Sequence, residues 1–132
     1  MNNYSNAKLG GKKLTFFTTG TVARTMPHIL KQMILDGHEV GSHYNLHDLM
    51  YKQSNYEIAK NLSIAKESIF KACGQEPIGF RAPVFSITPD RLDIFEEINK
   101  FFRYDSSHVL NLNLNNKGYY ENLEPFCSID LI

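Results

Sequence analysis

Gly37-His38-Glu39-Val40-Gly41-Ser42-His43-Tyr44-Asn45-Leu46-His47-Asp48 is the stretch that decides how this chain is read. A glycine closes a helical pattern, a short β-prone run follows, and the run ends on His43 with His47 four positions on. Two imidazoles at that spacing reach one cation if the backbone turns after the strand. Imidazole nitrogen suits a divalent metal such as zinc, which keeps an open position for water when it is catalytic. Two ligands rarely suffice, so the reading turns on the source of a third. The plainer alternative is an exposed loop pair holding no ion, since such spacings are common.

Outward from this stretch the elements alternate. Leu14-Thr15-Phe16-Phe17-Thr18 is β-rich and closes at Gly20, as a strand with its turn. Pro27 opens a helix to about residue 36, with Ile29, Leu30, Met33 and Ile34 on one side and Gly37 as its stop. Residues 39–43 form the next strand. Ser54 and Glu57 make a capping box, behind which Ile58, Leu62, Ala65 and Ile69 recur at helical spacing up to Gly74. Residues 78–81 give a third strand. Thr88-Pro89 starts another helix carrying Leu92, Phe95 and Ile98, and residues 102–105 give a fourth strand. After Asn111 a turn-rich connection precedes a last expected strand at 126–131.

This order implies parallel strands covered by helices, with functional groups at the C-terminal strand ends. His43 with His47, Arg81 and Asp105 each lie at such an end. That shared placement is the main argument for a site.

Composition narrows the classes. With 132 residues the chain holds one core, and its 14 basic and 14 acidic side chains leave no field to attract nucleic acid. No apolar run reaches the roughly 18–20 residues that cross a bilayer, and the first residues lack a signal-peptide core. Cys73 and Cys127 make neither a metal spacing nor a disulfide framework. A cytoplasmic location is the resulting expectation.

Four segments together resemble the polysaccharide deacetylase family, the NodB-like carbohydrate esterases. They are Thr15-Phe16-Phe17 through Gly20, Gly37 through His47 with its His-x-x-x-His spacing, Phe80-Arg81-Ala82-Pro83, and Tyr104-Asp105-Ser106-Ser107. The resemblance runs from about Leu14 to Ser107. It implies an α/β fold, a distorted (β/α) barrel of parallel strands, with one divalent ion, commonly zinc. That ion would be held by His43, His47 and an aspartate, and would activate water toward the acetyl group of an N-acetylated sugar in a bacterial polysaccharide or peptidoglycan. Arg81 and Asp105 would belong to the catalytic machinery, ordering it through a bidentate guanidinium–carboxylate clasp.

Two departures stand out. The family's paired aspartates precede the segment matching Leu14 to Gly20, yet no aspartate precedes Asp36. The late strand with its Leu-x-His-type motif has no counterpart before Ile132. Residues 1–132 therefore read as a single incomplete domain, a partial barrel lacking the first strand and the C-terminal strands. The leading expectation is a fragment of a hydrolase with impaired activity, self-associating through an exposed apolar sheet edge. The alternative is a catalytically inactive carbohydrate-binding or scaffold paralogue.

The remaining candidates divide between site and packing. Pro83 fixes the loop turn, and Phe85 is either a sugar-stacking platform or loop packing, so both are assigned to substrate binding. Asp48 is a substitute ligand in a minor reading and a turn cap in the main one. His38 caps or packs, His28 is solvated, and His108 lines the cleft without a task. Phe16, Phe17, Phe101 and Phe102 are core.

Overall fold

The structure, a computed structural model, describes residues 11–108. The expected strand at 126–131, Cys127, and the segment upstream of the first strand lie largely or wholly outside these residues. Four parallel strands stand in sequential order, β1 (Thr15–Thr18), β2 (Glu39–Ser42), β3 (Gly79–Phe80) and β4 (Tyr104–Asp105). Helices α1 (Gly20–Thr25), α2 (Pro27–Leu35), α3 (Asn55–Cys73) and α4 (Ile94–Asn99) fill the connections. The fold is α/β with a parallel sheet, as the alternation implied. No helix among the described residues is long and apolar enough to cross a membrane.

Local chemistry explains most boundaries. In β1 the aromatic and β-branched residues alternate: Phe16 joins the packing of α2 and α3, while Phe17 lies on the opposite face. Pro27 occupies the first turn of α2, which buries Ile29, Leu30 and Met33, and Gly37 ends the connection at φ 85°. The α3 capping box forms in both directions, Glu57 N donating to Ser54 Oγ at 3.2 Å and Ser54 N to Glu57 Oε2 at 3.1 Å. Ile58, Leu62 and Ile69 of α3 are fully buried, each worth about 1.5–3 kcal/mol of transfer free energy. The first two pack with Phe80, Ile94 and Ile98, the third with Leu30 and Val40. One long helix thus serves both halves of the core.

Two elements differ from expectation. The turn after β1 is a helix, α1. Thr19 Oγ1 accepts from Val22 N at 3.2 Å, and the first amides of the helix, Gly20 and Thr21, donate to the carbonyls of Tyr44 and Asn45 at 2.9 and 3.1 Å. Donors that a six-residue helix leaves unpaired are therefore met from the loop after β2. The helix expected from Thr88 is split into a 3-10 turn, Pro89–Arg91, and α4. Arg91 explains the break, because its Nη1 donates to the carbonyls of Tyr51 and Gln53 at 3.0 and 2.9 Å. That grip ties the turn to the chain before α3.

On the sheet face away from the helices, two rings lie sideways. Phe17 of β1 leans over Gly41 of β2, and Tyr104 of β4 leans over Gly79 of β3, which a Cβ would overlap. The rings meet edge-on with centroids 6.4 Å apart. Tyr104 then reaches Glu39 on β2, donating to Oε1 at 2.8 Å, and Thr15 of β1 donates to the same oxygen at 2.7 Å. This aromatic floor spans all four strands and supports what stands at their C-terminal ends.

Candidate metal and catalytic site

His43 follows the last residue of β2 and is held in the sheet by its N–H, which donates to Thr18 O at 2.8 Å. The chain then turns at Tyr44, a non-glycine residue at φ 72°, a conformation that costs about 1–3 kcal/mol and persists only where its surroundings enforce it. The surroundings do so: Tyr44 is fully buried and its hydroxyl donates to Gln53 Oε1 at 2.5 Å. The turn carries His47 back beside His43, with ring centroids 5.1 Å apart and planes at 60°. His43 is half-buried and His47 exposed.

His43 Nδ1 lies 2.6 Å from the carbonyl oxygen of Arg81. A carbonyl only accepts, so Nδ1 carries the proton and Nε2 keeps its lone pair for a ligand. Burial first, and then the charges of His47 and Arg81, push the His43 imidazole below its usual pKa, against the opposing pull of the Arg81 carbonyl. A neutral imidazole in that tautomer is the form a metal ion takes.

Arg81 sits one residue past β3. Its guanidinium rests 4.5 Å above the Phe17 ring, with Phe85 at 5.9 Å. The expected clasp with Asp105 is replaced: Nε and Nη2 of Arg81 donate to Ser106 Oγ at 3.2 and 2.6 Å, and Nε also to Ser106 O at 3.2 Å. Asp105, 4% exposed, takes the hydroxyl of Ser107 on Oδ1 at 2.5 Å and its N–H on Oδ2 at 3.2 Å. Register decides this. Phe80 pairs with Asp105 and faces the helices, so the next residues, Arg81 and Ser106, share the other face.

The loop after Arg81 corrects a second expectation. Pro83 is fully buried and opens a 3-10 turn, Pro83–Phe85, so it shapes the loop and presents no surface to a ligand. Val84, 59% exposed at φ 54°, is the residue displayed at the tip, while Phe85 is half-buried near Arg81. His38 packs as expected, its Nδ1 accepting from Leu14 N at 3.1 Å and its ring edge-on to Phe16. Ser106, Ser107, Phe17 and Tyr104 were not singled out for the site from sequence, although the serines stand in the Tyr-Asp-Ser-Ser run.

The two imidazoles suit a divalent ion in type and spacing. The ring centroids lie 5.1 Å apart, close enough for both rings to reach one ion. Their number falls short of a full set. Among the described residues no three His, Cys, Asp or Glu side chains converge, which removes Asp48 as the missing ligand.

The polysaccharide deacetylase family model matches residues 8–100. The peptidoglycan-N-acetylglucosamine deacetylase of Listeria monocytogenes is 32% identical over 71 residues, 54% of this chain and 15% of that protein. A family 4 carbohydrate esterase from Streptomyces lividans shares the fold, with a TM-score of 0.65 at 22% identity over 72% of this chain and 48% of its own. A family 4 pseudoenzyme from Bacillus anthracis aligns with a TM-score of 0.59 at 27% identity, over 65% of this chain and 31% of its own. The chain spans less than a third of the length of curated relatives such as the Listeria protein. The family match covers most of the chain and agrees with the sheet and the strand-end histidines: this chain belongs to the polysaccharide deacetylase family.

Proposed function

We propose that this chain supplies the two-histidine part of a metal-dependent deacetylase site acting on N-acetylated sugars of a bacterial polysaccharide or peptidoglycan. The observation that carries the reading is the His43–Arg81 hydrogen bond, which fixes the imidazole tautomer beside His47. His43 and His47 would hold the ion, zinc by donor type. When bound, a divalent ion supplies an acidified water and a Lewis acid for the acetyl carbonyl. The protein's own residues do the rest. Arg81 orients His43 through its carbonyl, and its guanidinium brings a fixed positive charge to the same rim. Phe85 and the exposed Val84 offer apolar surface against which a sugar ring rests. Among the described residues the donor set at this rim is His43 and His47.

A second reading has its own support. The described residues lack a third donor, and one structural neighbour is itself described as a pseudoenzyme. On that reading the chain binds carbohydrate without hydrolysing it.

One experiment separates the two. The purified chain is incubated with an acetylated chitooligosaccharide, with and without zinc and with chelator. Acetate release that needs the metal and disappears in His43→Ala supports the first reading. Sugar binding that is indifferent to chelator, with no acetate released, supports the second.

A further inference from the structure

A single peptide unit joins the metal-ligand candidate to the buried carboxylate. The carbonyl of Arg81 and the N–H of Ala82 belong to one planar amide. The carbonyl end accepts from His43 Nδ1 at 2.6 Å. The N–H end donates to Ser107 Oγ at 2.8 Å. Ser107 in turn donates from Oγ to Asp105 Oδ1 at 2.5 Å. Every donor along this path points the same way, from His43 toward Asp105. A chain of bonds aligned head to tail polarises each member, and in a buried setting the effect is stronger than in water. Ser107 is 3% exposed and Asp105 4%, so the path runs through the interior.

We infer that Ser107 is a positioning residue of the site, relaying the carboxylate of Asp105 through the Arg81–Ala82 peptide to His43. Ligating histidines generally donate their second ring N–H to a carboxylate or a carbonyl, which fixes the ring and raises its basicity. Here the carbonyl is the immediate partner and the carboxylate stands two hydrogen bonds behind it. Ser107 Oγ is the only link between them on this path, accepting from the peptide and donating to the acid at once. A serine hydroxyl does both, and alanine does neither. The relay also gives a role to the buried carboxylate on the helix-facing side of β4, while the guanidinium bonds Ser106. Its functional meaning rests on the metal-site reading above, but its geometry does not.

The test uses the full chain and reads His43 directly. Nitrogen-15 NMR of the metal-free protein reports the imidazole tautomer, and competition with a chromogenic chelator reports zinc affinity. In wild type His43 shows a protected Nδ1 proton. Ser107→Ala should weaken the Nδ1–H bond to the Arg81 carbonyl, moving the Nδ1 shift, speeding exchange of that proton and weakening zinc binding about tenfold. Asp105→Asn, which keeps shape and removes charge, should move both readouts the same way. Ser107→Thr keeps the hydroxyl and should restore them. Ser106→Ala, which removes the hydroxyl from Arg81 but leaves its Nε bond to Ser106 O, its stack on Phe17 and the relay whole, should leave the His43 Nδ1 signal and its exchange unchanged. The inference is overturned if folded Ser107→Ala or Asp105→Asn keeps the wild-type His43 signals, or if Ser106→Ala disturbs them equally. A wild type that binds no zinc would instead sink the metal-site reading, while the Nδ1 shift and proton exchange still decide the relay.

Discussion

Arg81 and Ser106 face each other across β3 and β4, and the guanidinium spends its Nε and Nη2 donors on this one serine. Phe17 lies beneath at 4.5 Å, so the arginine is held from the side and from below. Lysine cannot replace it, having neither the planar fork nor the flat face that stacks on a ring. Arg81→Lys should cost about 1 kcal/mol of stability, and Phe17→Leu a similar amount. Urea denaturation of both and of the double variant should show them coupled by about 0.5–1 kcal/mol. Strict additivity would mean that the stack contributes nothing.

The aromatic floor depends on two residues without side chains. Gly79→Ala places a methyl group where the Tyr104 ring lies, and the ring's hydroxyl is tied to Glu39 at 2.8 Å. The substitution should destabilise the chain by about 1–3 kcal/mol, as overpacking does. Tyr104→Leu added to Gly79→Ala should recover part of the loss, measurable as a rise in Tm over the single variant.

His43 makes stability depend on pH with a definite sign. Burial, with the charges of His47 and Arg81, holds its folded pKa below the 6.5 of a free imidazole. As pH falls, the unfolded chain therefore takes the proton first, and unfolding is favoured. The contribution of His43 is fully present above pH 6.5 and is lost as pH falls through the folded value. In metal-free protein the urea midpoint should drop between pH 7.5 and 5.5, and drop less in His43→Asn. An equal drop in both would place the titration elsewhere.

The capping box at Ser54 is the simplest check on the long helix. Ser54→Ala removes the acceptor for Glu57 N and should lower stability by about 0.5–2 kcal/mol. The melting temperature measures it directly.

What the sequence revealed and what it hid divide along locality. The Ser54 and Glu57 box, the Gly37 stop and the alternation in 15–18 depend on neighbours a few residues away, so those elements were legible. Helix α1 was not, because Gly20-Thr21-Val22 is a poor helical start and its amides find partners on Tyr44 and Asn45, more than twenty residues on. The same holds for the split before α4, imposed by Arg91 reaching Tyr51 and Gln53. At the site, the His43 and His47 spacing was readable. Which of Asp105 and Ser106 meets Arg81 was not, since strand register decides it and a shift of one residue reverses the answer. The carbonyl partner of His43 left no trace in residue type, because every residue carries a carbonyl.

The central claim about the molecule is that His43 and His47 act on one ion. Zinc titration of the full chain, followed by the imidazole nitrogen-15 signals of both residues, addresses this. One equivalent should shift both signals together, with His43 binding through Nε2, and either alanine substitution should weaken affinity at least tenfold. Zinc that shifts only one of the two signals, or an affinity unchanged in His47→Ala, would contradict it.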